Sequence, residues 1–348
     1  MEQSPRSVVS RPTYVSGFGG FSHYTRRIMH AARPRPAAPI FLCALVLALV
    51  ACAPTGHAAA TITPTVQAVN PALGTDPRAP VIPDLLYGEA GGQRLLLDAC
   101  LPPGDGSGPT PSPRPAIVLI HGGSWTRGEK ADVAYRAICQ WLATAGYPTF
   151  AVDYRMAPQF IFPAALDDVR TAVRWLRAPR QVARFDLDPD RIGAFGGSAG
   201  GNLAALLGTV GSGSLRSGAR VAAVAELSGP ADLTGADARD DFVPIQLAFL
   251  GCSTETDCPT ARTASPIFAV SPDDPPFFVA NSTDELIPIA QSRRFVTALR
   301  AAGVPTTFVE VTGRLHSIAM LNPELKAKIV EFYRETLGSG SGSVDGAG

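Results

Sequence analysis

Short apolar runs alternate along the middle of the chain with longer segments in which apolar residues recur every third or fourth position. The short runs predict strands and the longer segments predict amphipathic helices. The predicted strands cover 95–101, 116–121, 149–154, 192–196, 221–227, 277–281 and 306–311. The predicted helices cover 131–145, 164–177, 200–210, 289–302 and 323–337. Strands that alternate with helices are typical of an α/β protein, so we expect a mostly parallel central sheet with helices on both faces.

The sequence Gly-Gly-Ser-Ala-Gly at 196–200 stands between a predicted strand and a predicted helix. A serine in so tight a turn needs glycine neighbours, because larger side chains there would clash. The N-terminus of the following helix favours negative charge near the serine. A strand, a G-x-S-x-G turn and a helix in this order predict that Ser198 is a catalytic nucleophile.

Two glycines follow His121 at the end of the second predicted strand. Glycine N–H groups can approach a substrate oxygen closely, and an oxyanion hole needs such donors where negative charge develops. We therefore predict an oxyanion hole formed by the backbone N–H groups of Gly122, Gly123 and Ala199. Trp125, which follows this loop, is predicted to form a wall of the substrate pocket.

A nucleophilic serine needs a base, and the base needs an acid that holds it in the correct orientation. Two histidines, His121 and His316, lie in the predicted globular part of the chain. His121 belongs to the glycine loop and is expected to hold that loop in shape. His316 is therefore the predicted base.

The acid should lie at the end of a strand, where the main chain holds it in place. Asp284 follows the predicted strand 277–281 within a few residues and is the predicted acid. The adjacent Glu285 is expected to point elsewhere. Glu226, near the end of the preceding predicted strand, is a rival for the same role.

The order serine, acid, histidine along the chain is that of the α/β-hydrolases. The chain resembles this fold family over residues 86–337, and within it the carboxylesterases of the hormone-sensitive-lipase and feruloyl-esterase-like groups. The matching stretches are His-Gly-Gly-Ser-Trp at 121–125, Val-Asp-Tyr-Arg-Met-Ala-Pro at 152–158, Phe-Pro-Ala-Ala-Leu-Asp-Asp at 162–168 and Asp-Pro-Asp-Arg-Ile-Gly-Ala-Phe-Gly-Gly-Ser-Ala-Gly-Gly-Asn at 188–202. This chain has Ser124 where the lipase-like pattern often has a third glycine.

The resemblance implies a serine hydrolase that cleaves carboxylic esters through an acyl-enzyme, without a metal or an organic cofactor. In this family the segment equivalent to 230–276 forms part of a cap over the pocket, and Phe249 is expected to line that pocket. No long hydrophobic lid is evident in the sequence, so we expect small-molecule esters with short acyl chains. An amidase, arylformamidase or peptidase on the same residues is one alternative. A catalytically silent surface-binding module is another, and the oligomeric state stays open.

The N-terminal part of the chain differs from the rest in composition. Arginines precede an uncharged apolar run at 40–51, which is too short to span a membrane comfortably. A basic region, a short apolar core and small residues are typical of an export signal. The end of this run, Leu-Val-Ala-Cys, resembles a bacterial lipobox, in which the cysteine, here Cys52, is lipidated. We therefore expect a lipoprotein anchored to a membrane of the cell envelope, with an uncleaved signal anchor or a secreted protein as alternatives. The expected division is 1–52 signal, 53–83 flexible tether, 84–338 hydrolase domain and 339–348 disordered tail.

Charge and cysteine content narrow the picture further. The chain has 30 basic and 30 acidic side chains, which gives no reason to expect a nucleic-acid partner. Cys252 and Cys258 can close a small disulfide loop in an oxidising compartment. A zinc site on this pair would lack two further ligands. Cys100 and Cys139 are expected to be buried thiols.

Overall fold

The computed structural model describes residues 74–104, 113–211, 214–215 and 218–338. Its strands are β1 (Val81–Ala90), β2 (Gln93–Cys100), β3 (Arg114–Ile120), β4 (Thr149–Val152), β5 (Leu187–Gly197), β6 (Ala223–Leu227), β7 (Phe277–Ser282) and β8 (Thr306–Val311). Its α-helices are α1 (Val133–Thr144), α2 (Ala164–Leu176), α3 (Pro179–Phe185), α4 (Ala199–Thr209), α5 (Val243–Leu250), α6 (Pro259–Thr263), α7 (Ile289–Ala301) and α8 (Pro323–Leu337). The predicted signal with Cys52 and the predicted tail lie outside the described residues.

The eight strands form one sheet in the order β1-β2-β4-β3-β5-β6-β7-β8. Neighbouring strands from β4 to β8 in this order are parallel, whereas β2 is antiparallel to both β1 and β4. This arrangement confirms the expected mostly parallel sheet. The carboxyl ends of parallel strands lie at one edge of a sheet, so the loops after β3, β5, β7 and β8 come together there.

Helices cover both faces of the sheet, and two apolar layers fill the space between. In β3, Val118 packs in the layer beneath α2, α4 and α7, while its neighbour Leu119 packs in the layer beneath α1 and α8. Successive side chains of a strand point to opposite faces, so a strand buried on both sides needs apolar residues at every position. This requirement explains why residues 116–120 of β3 form a continuous apolar run in the sequence.

Strand β1 is the element that the hydrophobic pattern did not predict. It lies at one edge of the sheet, and Asp84 within it has a positive φ of 57° where the register with β2 shifts. The irregular backbone breaks the alternation that would mark a strand. Just before β1, Ala79 is buried and its carbonyl oxygen accepts a hydrogen bond from Gln140 Nε2. The packed chain therefore begins before residue 84, which corrects the predicted start of the domain.

Three short helices, α3, α5 and α6, were also not predicted. Each begins with a proline in its first turn, and none is long enough to give a clear helical repeat. Helices α5 and α6 lie within 230–276, the segment expected to form part of a cap. Among the helices of the described residues, none has both the length and the apolar character needed to cross a membrane.

Two disulfides connect parts of the described chain. One joins Cys252 to Cys258, as expected, and the other joins Cys100 to Cys139. The second corrects the expectation of two buried thiols. Cys100 ends β2 and Cys139 lies on α1, and these two elements pack against each other. Their separation of 39 residues left no local pattern that could indicate the bond.

We predict that the Cys100–Cys139 bond contributes more to stability than the Cys252–Cys258 bond. Loop-closure entropy gives about 4 kcal/mol for the longer loop and about 2 kcal/mol for the shorter one. Replacing both cysteines of one pair with alanine and measuring denaturant unfolding of each double variant tests this. Equal losses in the two variants would contradict the entropic account.

Candidate active site

Ser198 lies in the turn between β5 and α4, with φ at 56° and ψ at −124°. A Cβ on Gly196 would lie 2.1 Å from the Gly200 carbonyl oxygen, and a Cβ on Gly200 would lie 2.1 Å from the Ile120 carbonyl oxygen. Both positions therefore require glycine. The Ser198 N–H donates to the Leu227 carbonyl at 2.8 Å, which ties the turn to the end of β6. The motif thus forms the strained turn that the sequence predicted.

The structure brings His316 to Ser198, although 118 residues separate them. The Ser198 hydroxyl donates to His316 Nε2, with 2.8 Å between Oγ and Nε2. His316 follows β8 and precedes a short 3₁₀ turn. The N–H of the next residue, Ser317, donates to Ser228 Oγ at 3.0 Å, so the loop after β6 holds the histidine loop.

The acid that contacts His316 is Glu285, not the predicted Asp284. His316 Nδ1 donates to Glu285 Oε2, and the Glu285 side chain is fully buried. The Asp284 side chain is 66% exposed and forms an ion pair with Arg314 at 3.2 Å. This corrects both the predicted acid and the expectation that Glu285 points elsewhere. The rival Glu226 is buried on β6 and accepts a hydrogen bond from Gly229 instead.

The loop after β7 explains why the acid is shifted by one residue. The Asp284 N–H donates to the Gly313 carbonyl at 3.0 Å, so Asp284 still lies beside the chain that continues from β8. Glu285 then turns inward, and Ile287 behind it is completely buried. The Ile287 N–H also donates to Glu285 Oε2, at 3.4 Å. The apolar Leu-Ile-Pro that follows Glu285 was the signal in the sequence for this inward turn.

The predicted oxyanion hole loses one of its three donors. The Gly122 N–H donates to the Tyr135 hydroxyl at 2.6 Å, so it does not face a substrate oxygen. Gly123 has a φ of 117°, and a Cβ there would lie 2.1 Å from the Arg127 carbonyl oxygen. Ala199 is the first residue of α4, where backbone N–H groups have no partner within the helix. The donors left for an oxyanion are the N–H groups of Gly123 and Ala199.

His121 holds the glycine loop in shape. Its Nδ1 donates to the Gly122 carbonyl oxygen at 2.7 Å, and its ring stacks on Tyr154 with 4.3 Å between the ring centres. The Tyr154 hydroxyl donates to the His121 carbonyl oxygen at 2.9 Å. Burial lowers the pKa of His121 and keeps the ring neutral. His121 therefore has the structural role that was expected of it.

Trp125 and Phe249, the two predicted pocket residues, stack face to face with 4.2 Å between their ring centres. Both are buried, and Phe162 packs edge-on against Phe249 at 5.7 Å. The two rings cover each other, and Trp125 lies two residues after Gly123 in the chain. Their role in lining a substrate pocket stays a prediction.

The site thus aligns a carboxylate, an imidazole and a hydroxyl, and the N–H groups of Gly123 and Ala199 stay the predicted oxyanion donors. Such an alignment can deprotonate the hydroxyl as it attacks an electrophile and can stabilise the negative charge that forms. Within the described residues, histidine, cysteine and acidic side chains form no group of three that could hold a metal ion.

The sequence of this region matches a known family. The BD-FAE family model matches residues 101–299. The chain belongs to the BD-FAE family. The match runs from the residue after β2 into α7, so it includes Ser198 and Glu285 and stops before His316.

The chain is also similar to individual known proteins. Esterase LipQ of Mycobacterium tuberculosis is 32% identical over 265 residues, which make up 73% of this chain and 61% of LipQ. The chain thus spans less than two thirds of LipQ. Arylacetamide deacetylase of Bos taurus is 39% identical over 99 residues, which are 28% of this chain and 25% of that enzyme. A truncated carbohydrate esterase from gut microbiota has a TM-score of 0.65 at 23% identity, with 76% of this chain and 99% of the other covered. Together with the family match, this likeness confirms the α/β-hydrolase fold.

We predict that Glu285, and not Asp284, controls the reactivity of Ser198. Glu285→Gln should lower the rate at which a fluorophosphonate probe labels Ser198 by about a thousandfold or more, because the amide cannot stabilise the charged imidazole. The matched neighbour Asp284→Asn should change that rate by less than about twofold, since its carboxylate is in solvent. The reverse ranking of the two variants would restore Asp284 as the acid.

Proposed function

We propose that this protein hydrolyses carboxylic esters, with Ser198 as nucleophile, His316 as general base and acid, and Glu285 as the acid that orients His316. The observation that supports this most is the continuous contact from Glu285 through His316 to Ser198 Oγ. The family match and the similarity to an esterase support the same reaction class. The position of the serine in a strained turn at the carboxyl end of β5 is what a nucleophile of this fold requires.

In the proposed reaction, His316 Nε2 takes the proton from Ser198 Oγ while Oγ bonds to the carbonyl carbon of the ester. The carbonyl electron pair moves onto its oxygen, which the N–H groups of Gly123 and Ala199 bind. The tetrahedral intermediate collapses, and the leaving alcohol takes the proton from His316. Water, deprotonated by the same imidazole, then attacks the acyl-enzyme, which releases the acid and restores the serine.

Small esters with short acyl chains are the proposed substrates. Ser198 is only 9% exposed, and the predicted pocket residues Trp125 and Phe249 are buried against each other. The low exposure of the nucleophile therefore favours short acyl chains over long ones. Amide hydrolysis is the second candidate, because the chain is similar over part of its length to an arylacetamide deacetylase.

We also propose that the protein is exported and held at the cell envelope through a lipid on Cys52. The apolar run that ends at this cysteine supports the proposal, as do the disulfides of the domain. Disulfides persist in oxidising compartments outside the cytosol. Mass spectrometry of the protein from membranes of a bacterial host would show a diacylated N-terminal Cys52, and an unmodified N-terminus there would contradict the proposal.

Hydrolysis of p-nitrophenyl esters from acetyl to dodecanoyl tests the proposed function. We expect the highest kcat/KM at the short end of the series, and we expect Ser198→Ala to lower kcat by about a thousandfold or more. The variant should keep the thermal unfolding transition of the wild type, because the side chain loses one oxygen only.

A matched pair of substrates separates ester from amide hydrolysis. p-Nitrophenyl acetate and p-nitroacetanilide carry the same acyl group on an oxygen or a nitrogen leaving group. Faster serine-dependent cleavage of the ester supports the proposal, and faster cleavage of the anilide assigns the amide alternative. Activity that Ser198→Ala does not reduce would contradict both.

A further inference from the structure

Glu226 is a buried acid that the proposed mechanism does not use. It lies in β6, between Gly196 of β5 and Val279 of β7, one residue before the end of the strand. It is 1% exposed, although a carboxyl group is costly to bury. Its position at the carboxyl end of the sheet brings it to the same edge as the loop that carries Glu285.

Two glycines leave room for this carboxyl group. A Cβ on Gly201, in the first turn of α4, would lie 3.2 Å from Glu226 Oε2, and a Cβ on Gly229 would lie 2.7 Å from it. The Gly229 N–H donates to the same oxygen at 2.7 Å. The chain thus forms a close-fitting place for a carboxyl group directly behind the turn that carries Ser198.

Glu226 and Glu285 each have one carboxyl oxygen that is not engaged in a hydrogen bond within the described residues. Glu226 Oε1 and Glu285 Oε1 are buried side-chain oxygens without a hydrogen-bond partner among the described residues. The other oxygens are engaged, by Gly229 in one case and by His316 in the other. Two buried carboxylates cannot both remain charged at low cost, so one of the pair should carry a proton.

Electrostatics select Glu226 as the protonated member. Burial and, to a smaller extent, the charge of the nearby Glu285 raise the pKa of Glu226 to about 8, although the hydrogen bond from Gly229 lowers it. The residues of the neighbouring strands that face it, Gly196 and Val279, are uncharged. Glu226 is therefore a neutral acid at neutral pH, with a proton on one oxygen.

We propose that Glu226 is a positioning residue that donates its proton toward Glu285 Oε1, directly or through one water, and so keeps Glu285 Oε2 on His316. This inference rests on the proposed function. The proton acts as a connection between β6 and the acid loop, and the two carboxyl groups share a single negative charge. When Glu226 loses the proton, the donor is replaced by a second carboxylate that repels Glu285, and the alignment of Glu285 with His316 weakens.

The test is the pH dependence of Ser198 labelling by a fluorophosphonate probe, measured on the full chain from about pH 6.5 to about pH 9.5. The wild-type rate should fall by about tenfold between pH 7 and pH 9, because most of Glu226 ionises in that interval. Ser198→Ala gives the background. Asp284→Asn, which removes an exposed acid next to Glu285, should keep the wild-type profile.

Two variants separate positioning from simple burial. Glu226→Gln keeps an N–H donor of nearly the same shape but cannot ionise, so its rate should change by less than about twofold over the same interval. Glu226→Leu lacks the donor and should label about tenfold more slowly than Glu226→Gln at pH 7. A glutamine variant that keeps the alkaline fall, or a leucine variant as fast as the glutamine variant, overturns the proposal.

Thermal unfolding of the same proteins provides a second measurement. Glu226 holds its proton to about pH 8 in the folded state, whereas an unfolded glutamate loses it near pH 4.5. The unfolded state therefore binds fewer protons between these values, and the stability of the wild type falls as pH rises through them. Glu226→Gln should have the higher Tm at pH 7, and the difference should shrink at pH 4. A Tm difference that does not change with pH contradicts a neutral Glu226.

The outcomes also distinguish this inference from the proposed function. If the wild type is not labelled at any pH, the serine is not activated, and the proposed function fails together with this inference. If the wild type is labelled and Ser198→Ala is not, the proposed nucleophile stands, and the profiles of the Glu226 variants alone decide the role of Glu226.

Discussion

The close approach of main chain to main chain around Ser198 is the constraint on which the rest of the site depends. Gly200 lies against the carbonyl oxygen of Ile120 at the end of β3, at a distance that excludes any side chain. This contact brings the first turn of α4 next to the loop that follows β3. Ala199 in this first turn and Gly123 in the loop after β3 are the two residues whose N–H groups we propose as donors to one substrate oxygen. A side chain at residue 200 would push the first turn of α4 away from the end of β3.

The loops that carry Ser198, His316 and Glu285 are each held by hydrogen bonds from a neighbouring strand or loop. The β6 loop holds the histidine loop through Ser228, and the turn of Ser198 is tied to Leu227 of the same strand. The acid loop is tied to the chain after β8 through the main chain of Asp284. A mutation in β6 can thus displace the serine and the histidine together. Such coupling makes the effects of substitutions at this edge non-additive.

The sequence predicted seven of the eight strands of the described residues and the nucleophile Ser198 from patterns within a few residues, and it predicted His316 by elimination between two histidines. It failed where the answer depends on a distant partner. Whether Asp284 or Glu285 contacts His316 depends on a main-chain hydrogen bond with Gly313. Whether the Gly122 N–H can serve the oxyanion hole depends on its hydrogen bond to Tyr135. The Cys100–Cys139 bond was missed for the same reason, whereas β1 was missed because its irregular backbone breaks the alternation of a strand. Local sequence predicts that an acid, a histidine and a serine form the site. Tertiary contacts determine which of two adjacent residues, such as Asp284 and Glu285, points its side chain into the site.

The Cys100–Cys139 disulfide affects the active site through helix α1, in addition to its effect on stability. Cys139 lies one helical turn after Tyr135, the residue whose hydroxyl accepts the Gly122 N–H beside the nucleophile. The covalent bond to β2 therefore fixes the helix that holds the oxyanion loop. The redox state of the compartment decides whether this disulfide forms, and the disulfide in turn constrains the helix that carries Tyr135. In protein folded under reducing conditions, all the reactive residues would be present, but the helix that holds the Gly122 loop would not be covalently bonded to β2.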